Sequence, residues 1–189
     1  YTGTKHAIAV SSCTAALHVA LSAIGIGPGD EVIISPLTFC SVANVIVHLG
    51  GIPILADIGD DYNINPDEIE RQITARTKAI LPVHYSGQPC DMDRIQEIAR
   101  NHKLAVIEDA AHAIGSKIDD RMIGTIGDVT GFSFYPIKNM TTAEGGMLTT
   151  DDDMLAEKMR LLSQHGISKD AWKRYSNEGS WYYEVLYAG

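Results

Sequence analysis

One lysine, Lys138, lies between two apolar segments, with small and hydroxyl-bearing residues on both sides of it. Ser133 precedes it, and Thr141, Thr142 and a Glu-Gly-Gly sequence follow. An isolated lysine is usually solvated at the protein surface. A lysine whose pKa is lowered in a partly enclosed site can instead form a Schiff base with an aldehyde or ketone. The hydroxyl-rich surroundings after an apolar strand favour the second interpretation.

Two adjacent acids end another apolar run, in the sequence LAVIEDAAHAIG. An ionised carboxylate at the end of a buried strand is costly unless it meets a cation or a metal ion. Asp109 is therefore a candidate partner for a cationic ligand, and the two alanines after it leave room for a flat one. Two structural alternatives stay open. Asp109 can cap the following turn, and His112 can be a hydrogen-bonded structural histidine.

A third candidate site is AVSSCTAALHVAL, in which a strand leads through small polar residues into a helix. The start of a helix offers free backbone amides and a positive dipole end, and nearby hydroxyls add further donors. Cys13 and Thr14 are therefore candidate phosphate contacts, although an ordinary N-cap explains the same pattern. Neither GxGxxG nor GxxxxGK[ST] occurs, which argues against a dinucleotide fold and against a P-loop.

The composition is that of a globular protein with a sizeable core. Of the 189 residues, 45% are hydrophobic and 21% are charged, which suits one domain. The formal net charge is −9 and no cluster of Lys and Arg occurs, so neither nucleic acid nor a membrane is an expected partner. Three cysteines without a CxxC pair predict neither a disulfide framework nor a metal site, and they favour the reducing cytoplasm.

Apolar runs alternate with helical patterns along the chain. The predicted strands are His6–Val10, Glu31–Ser35, Ile52–Ala56, Ala79–Val83, Ala105–Glu108, Val129–Phe134 and Met147–Thr149. The predicted helices are Thr14–Ile24, Ser41–Leu49, Pro66–Ile73, Met92–Asn101 and Asp151–Gln164. This alternation predicts a single α/β domain over residues 1–189, with a mostly parallel (mixed) central sheet and helices on both faces. Ligands bind at the carboxyl ends of the strands in such sheets, which is where the three candidate sites lie.

The three sites together suit a ligand that carries a phosphate, a flat ring with a basic nitrogen, and an aldehyde. Pyridoxal phosphate has all three groups, because its ring nitrogen needs an acid partner and its aldehyde needs a lysine. The spacing of the residues does not by itself single out this ligand.

The chain resembles the DegT-type sugar aminotransferases, which are fold type I pyridoxal phosphate enzymes acting on nucleotide-linked keto sugars. Matching stretches occur in order through nearly the whole chain. They include SSCTAALHVALSAIGIGPGDEVI, PLTFCSVANVI, ITARTKAILPVHYSGQPCDMDRI, VIEDAAHAIGS, FSFYPIKNMTTAEGGMLTT and KMRLLSQHG. Any one of these stretches is a weak signal, whereas so many in the same order identify the family.

The resemblance implies a role for each candidate residue. Lys138 matches the lysine that forms the Schiff base with the cofactor and later moves the proton. Asp109 matches the acid that pairs with the pyridinium nitrogen, and Phe39 matches the aromatic ring that stacks on the cofactor. The remaining matching positions are the phosphate contacts Cys13, Thr14 and Ser133, and His112 close to the ring, where many members carry Gln.

The implied reaction is transfer of an amino group from an amino acid, expected to be glutamate, to a nucleotide-linked keto sugar in a surface-polysaccharide or antibiotic pathway. Two departures from the family pattern matter. Gly is usual where Cys13 stands, and some relatives that dehydrate their substrate carry His at the lysine position, so Lys138 favours transamination. The alternatives are a pyridoxal-phosphate-dependent dehydratase or epimerase on similar sugars, and a non-catalytic sensor or regulator.

Family members are considerably longer than this chain. We therefore expect the chain to be the large cofactor-binding domain, lacking an N-terminal segment and the small C-terminal domain, in a protein that forms a homodimer. The apolar run Trp181-Tyr182-Tyr183 suits burial by that domain or by a second subunit. His84 and His165 also match family patterns, but the sequence gives neither a chemical role, and turn or helix-end positions are the preferred interpretation.

Overall fold

A computed structural model describes residues 1–167 and 184–189 of the chain. The expected burial of Trp181-Tyr182-Tyr183 concerns residues outside this part. The main strands are β1 (His6–Val10), β2 (Glu31–Ile34), β3 (Ile52–Leu55), β4 (Thr77–Leu81), β5 (Ala105–Asp109), β8 (Val129–Ser133) and β9 (Gly146–Thr150), and the short strands β6 (Lys117–Ile118) and β7 (Arg121–Met122) form a hairpin. The helices are α1 (Cys13–Ile24), α2 (Ser41–His48), α3 (Pro66–Gln72), α4 (Met92–His102) and α5 (Asp153–Leu162).

The seven main strands form one sheet in the order β1-β9-β8-β5-β4-β2-β3. Neighbouring strands are parallel except at β9, which runs antiparallel to both β1 and β8. The predicted mixed, mostly parallel sheet is therefore confirmed. Because β9 runs in the opposite direction, its first residue, Gly146, pairs with the last residues of its two neighbours, Val10 and Ser133.

Helices cover both faces of this sheet, as predicted. One apolar cluster holds α1, α2 and α5 against the sheet and includes Leu21, Ile34 and Met159. A second cluster, on the opposite face, holds α3 and α4 and includes Ile33 and Ile95. Consecutive strand residues such as Ile33 and Ile34 belong to different clusters because side chains alternate between the faces of a strand. Among the described residues, none of the helices is long and apolar enough to cross a membrane.

Helix α1 starts where a serine can cap it. The side-chain oxygen of Ser12 accepts a hydrogen bond from the amide of Ala15 at 3.1 Å, and Ser12 itself has extended backbone angles. This satisfies one of the first helical amides, which lack partners inside the helix. Gly25 ends the helix in the left-handed conformation, with φ of 88°. Asn65 caps α3 in the same way, since its side chain accepts from the amide of Asp67 at 2.9 Å.

Several predicted boundaries were wrong by one or two residues. Strand β4 ends before Pro82 because proline has no amide hydrogen, so beyond it only Val83 makes a single bridge, to Asp109. Helix α5 begins two residues later than predicted, because the side chain of Asp152 caps the amides of Met154 and Leu155. The short pair β6–β7 and a 3-10 turn at Tyr85–Gly87 were not predicted, since two or three residues carry no periodicity.

Gly146 makes a close approach between β9 and the start of α1. A methyl group added there would lie 2.4 Å from the carbonyl carbon and oxygen of Ser12 and 2.8 Å from the amide nitrogen of Cys13. These neighbours are backbone atoms and cannot rotate away. The first turn of α1 and the edge of the sheet therefore share a position that only glycine permits.

We expect Gly146→Ala to lower the free energy of unfolding by about 1–3 kcal/mol, because the added methyl group must displace backbone. The measurement is urea unfolding of the purified protein. Gly27→Ala is the matched control, because a methyl group there meets no atom within 4 Å, and it should change stability by less than about 0.5 kcal/mol. Equal stability of the two variants would contradict the close approach.

Candidate active site

A cavity of about 460 Å³ opens at the edge of the sheet where β1, β5 and β8 end and β9 begins. Six of the seven predicted site residues line it: Cys13, Thr14, Phe39, Asp109, Ser133 and Lys138. These residues come from four separate parts of the sequence, and only the fold brings them to one cavity. The seventh, His112, lies outside the lining. Burial and the positive charge of Lys138 lower the pKa of His112, while the charge of Asp109 opposes this shift.

Asp109 is the buried carboxylate of the cavity, with 5% of its surface exposed. One side-chain oxygen, Oδ1, accepts a hydrogen bond from the amide of Ala111 at 3.0 Å. Burial raises the pKa of Asp109, and the hydrogen bond from the Ala111 amide partly offsets that rise. A carboxylate without its full hydration attracts a cation strongly, so this group suits a positively charged partner inside the cavity.

Cys13 touches the same carboxylate. Its Sγ donates to Oδ1 of Asp109 at 3.7 Å. Burial, and then the negative charge of Asp109, raise the pKa of the Cys13 thiol well above its ordinary value. The thiol therefore stays protonated and acts as a weak hydrogen-bond donor, since only a thiolate is a good nucleophile.

Lys138 stands in the loop between β8 and β9, half-buried, with its backbone amide donating to the carbonyl of Tyr135 at 3.0 Å. The loop holds itself in shape by side-chain hydrogen bonds. Thr141 Oγ1 donates to the carbonyl of Phe134 at 3.0 Å, and Thr142 Oγ1 donates to the carbonyl of Glu144 at 2.7 Å. The predicted hydroxyls around Lys138 thus shape the loop that carries the amine.

The aromatic candidate, Phe39, lies in the segment between β2 and α2 with 71% of its surface exposed. It lines the cavity even so. A large apolar side chain that is left in water at the edge of a cavity gains free energy when a flat apolar surface covers it. Its neighbour Thr38 has a buried hydroxyl oxygen without a hydrogen-bond partner among the described residues.

Sequence reasoning missed some of the site. Ser12, Tyr135 and Glu144 also line the cavity. The preferred interpretation of His84 as a turn residue was incomplete, because its side chain is fully buried and hydrogen-bonded to Glu108. The available signal was the acid itself, since a glutamate that ends an apolar strand must find buried donors. His165 does lie in a turn after α5, with φ of 63°.

The sequence matches the model of the DegT/DnrJ/EryC1/StrS aminotransferase family over residues 1–184. The chain belongs to this family. The match covers every element of the fold and every candidate site residue. It confirms the resemblance inferred from the sequence motifs.

The chain is similar to known proteins both in sequence and in structure. A Bacillus subtilis protein named spore coat polysaccharide biosynthesis protein SpsC is 62% identical over 98% of this chain. PseC of Helicobacter pylori, an aminotransferase in the biosynthesis of pseudoaminic acid, superposes with a TM-score of 0.90 at 34% identity over 99% of this chain. The putative sugar aminotransferase Spr1654 of Streptococcus pneumoniae, in its PLP-form, gives 0.90 at 33% identity over the full chain.

These similarities show that the fold is that of fold type I aminotransferases, as predicted. The chain spans about half the length of the relatives it matches, namely 48% of SpsC, 49% of PseC and 51% of Spr1654. What the complete protein does is therefore taken up as a proposal.

We expect Asp109→Asn to stabilise the cofactor-free protein at neutral pH. A buried acid with a raised pKa destabilises the fold when it is ionised, and this penalty disappears once it is protonated. The amide oxygen of asparagine can still accept from Ala111. The advantage of the variant in urea unfolding should therefore be present at about pH 7 and shrink as the pH falls toward about 4. The exposed Asp120→Asn should show no such trend, and a less stable Asp109→Asn variant at neutral pH would contradict the assignment.

Proposed function

We propose that the protein is a pyridoxal-phosphate-dependent aminotransferase that moves an amino group from an amino acid, expected to be glutamate, to a nucleotide-linked keto sugar. One observation carries this proposal. An amine, Lys138, and a buried carboxylate, Asp109, line one cavity together with the start of a helix. Membership of an aminotransferase family supports the reaction class.

The residues around the cavity fit this cofactor. The volume of about 460 Å³ lies in the range of small-molecule sites. Gly131, opposite Asp109 in the β5–β8 pairing, lets the first turns of α1 pack closely on β8, since a methyl group there would lie 3.3 Å from Leu17 and 3.7 Å from Cys13 Sγ. The lining contains an amine, a desolvated carboxylate, a helix start and an exposed aromatic ring. These four groups suit the aldehyde, the ring nitrogen, the phosphate and the ring face of the cofactor, respectively.

Each group has a proposed task. Cys13 and Thr14 would hold the phosphate through their amides at the start of α1, with the Ser133 hydroxyl beside them. Phe39 would cover one face of the ring, and Asp109 would keep the ring nitrogen protonated. Lys138 Nζ would be the covalent attachment point for the aldehyde carbon. When bound, the cofactor supplies an electron sink for the carbanion that forms on the amino donor.

Moving a proton at the amino donor would be the task of the Lys138 amine. The hydrogen bonds of Thr141 and Thr142 fix the shape of the loop that carries this amine. Asp109 would be ionised beside a protonated ring nitrogen, because a cation there would compensate the desolvation that raises the pKa of Asp109. His112 lies outside the cavity lining, and only the family resemblance assigns it a place near the ring.

Relatives support the substrate class. SpsC is named for spore coat polysaccharide biosynthesis, and PseC is an aminotransferase of pseudoaminic acid biosynthesis. We therefore propose that the present protein makes an amino sugar for a surface polysaccharide. Exposed apolar side chains at the cavity, such as Phe39 and Ile137 with 71% and 81% exposure, also favour a homodimer, because contact with a second subunit would bury them.

Borohydride reduction of the protein loaded with pyridoxal phosphate should attach the cofactor to Lys138 in peptide mass spectra. Lys138→Ala should abolish this attachment and slow amino transfer by about 100- to 10,000-fold, because the variant lacks the amine that moves the proton. Lys117→Ala is the control, since this exposed lysine lies on the short hairpin away from the cavity. Attachment at another lysine would contradict the proposed mechanism.

Incubation of the complete protein with glutamate and a panel of nucleotide-linked keto sugars should yield an amino sugar, identified by mass spectrometry, together with 2-oxoglutarate. Loss of water from the sugar would instead indicate a dehydratase, and inversion at a ring carbon an epimerase. Tight binding of a sugar nucleotide without any change in it would indicate a sensor or regulator. Each of these three results would overturn the proposal.

A further inference from the structure

Directly behind Asp109, on the other side of the sheet, lies a buried pair that the proposed reaction does not use. His84 and Glu108 have no exposed side-chain surface, and Nε2 of the histidine lies 2.8 Å from Oε2 of the glutamate. Two titratable groups buried this deeply need a reason, because each costs free energy unless all its hydrogen-bonding atoms find partners.

The hydrogen bonds fix where the proton of His84 resides. The backbone amide of Cys90 donates to Nδ1 of His84 at 3.1 Å, so Nδ1 is an acceptor and carries no proton. Nε2 must then carry the ring proton and donate it to Glu108. His84 is therefore a neutral imidazole in a single tautomer, with a different partner at each nitrogen.

Glu108 is satisfied on its other oxygen as well. Oε1 accepts from the amide of Gly127 at 2.6 Å and from Oγ1 of Thr130 at 2.8 Å. With His84, three donors converge on this carboxyl group, so both of its oxygens have hydrogen-bond partners without a cation. These donors come from β8, from the turn before it and from the segment after β4. The carboxylate thus connects β5 to both of its neighbours in the sheet.

The pair is linked to Asp109 through the backbone. The amide of His84 donates to the carbonyl of Asp109 at 3.1 Å, and the amide of Asp109 donates to the carbonyl of Pro82 at 2.9 Å. Glu108 and Asp109 are consecutive, so their side chains leave opposite faces of β5. Any shift of Glu108 therefore moves the backbone that carries the Asp109 carboxylate.

The segment after β4 also makes close contacts with the residues that follow Asp109. Gly87 approaches the carbonyl oxygen of His112 so closely that an added methyl group would lie 2.8 Å from it, and Ser116 Oγ donates to the carbonyl of Gly87 at 2.6 Å. Buried Asn63 holds this segment in place by accepting from the amide of Tyr85 at 3.0 Å. His84 therefore begins a segment that is held by Asn63 and that contacts the chain after Asp109 at His112 and Ser116.

We propose that His84, held in one tautomer by Cys90, acts through its hydrogen bond to Glu108 as a positioning residue that sets the place of the Asp109 carboxylate against a bound heteroaromatic cation. This inference rests on the proposed function for the identity of that cation. The contacts of the pair itself do not depend on that identity.

Two substitutions separate the two hydrogen bonds of His84. His84→Gln places an amide donor near the position of Nε2 and so keeps the bond to Glu108 while losing the acceptor for Cys90. His84→Asn places an oxygen near the position of Nδ1 and so keeps the Cys90 bond while losing the donor to Glu108. Glu108→Gln disrupts the same network from the other side, because the single amide oxygen of glutamine cannot accept from His84 Nε2 and from the Gly127 amide at the same time. Thr149→Val on β9 is the control, since it removes a buried hydrogen bond from Thr149 Oγ1 to the carbonyl of Gly124.

The first measurement is amide hydrogen exchange of the cofactor-free complete protein. His84→Asn and Glu108→Gln should speed exchange by about tenfold in the peptide spanning residues 105–112 and leave β1 and β9 unchanged, because the local loss is about one hydrogen bond. His84→Gln should exchange like the wild type in this peptide. Thr149→Val should leave the 105–112 peptide unchanged. Faster exchange throughout the protein in His84→Asn and Glu108→Gln would overturn the proposal. Identical exchange of the 105–112 peptide in His84→Asn and His84→Gln would also overturn it.

The second measurement is amino transfer by the loaded enzyme. His84→Asn and Glu108→Gln should lower kcat by about 100-fold, the effect of a misplaced group, while KM and cofactor affinity change by less than about threefold. His84→Gln should stay within about fivefold of wild type. A fall in cofactor affinity without a change in kcat, or failure of both the Asn and the Glu108→Gln variants to fold, would show a purely structural pair. If the wild type transfers no amino group, the proposed function fails, and hydrogen exchange alone decides the positioning role.

Discussion

Strand β5 ends in two consecutive carboxylates inside the protein, and the surrounding structure depends on how each is compensated. Glu108 is compensated within the chain, by three neutral donors from His84, Gly127 and Thr130. Asp109 receives the amide of Ala111 and a weak thiol donor, and it keeps a raised pKa. Because the side chains of a strand alternate, Glu108 and Asp109 point to opposite faces. Of the two, only Asp109 lines the cavity, where its desolvated carboxyl group can pair with a cationic ligand.

The reversed direction of β9 assembles the rest of the cavity. A fully parallel sheet would place the start of each strand at the edge away from the ligand site. The antiparallel β9 begins at that edge instead, so the loop with Lys138 between β8 and β9 is a short return connection beside Asp109. Gly146 then lets the start of α1 approach to backbone contact, and the helix start faces the same cavity as the amine. One change of strand direction thus joins an amine, a carboxylate and a helix start.

Residue types carried much of the site prediction. The acid after an apolar run identified Asp109, and the lysine among hydroxyls identified Lys138; both line the cavity. The sequence also placed α1 and its polar first turn to within one residue. It did not identify His84, because a histidine next to a proline-rich turn has no periodic signal and its partner is 24 residues away. His112 was predicted by similarity, and its position outside the cavity lining depends on the turn after β5, which no pattern encodes.

The sequence by itself determined the alternation of strands and helices, the mostly parallel sheet and the family, because apolar periodicity and ordered motifs are local properties. Only the tertiary structure decided which carboxylate faces the cavity and which tautomer His84 adopts. It also decided that β9 reverses, and that Cys13 donates to Asp109 as a neutral thiol. These outcomes depend on strand order and on contacts between residues far apart in the chain. They follow from burial and from the pairing of hydrogen-bond donors with acceptors, which exist only after the chain has folded.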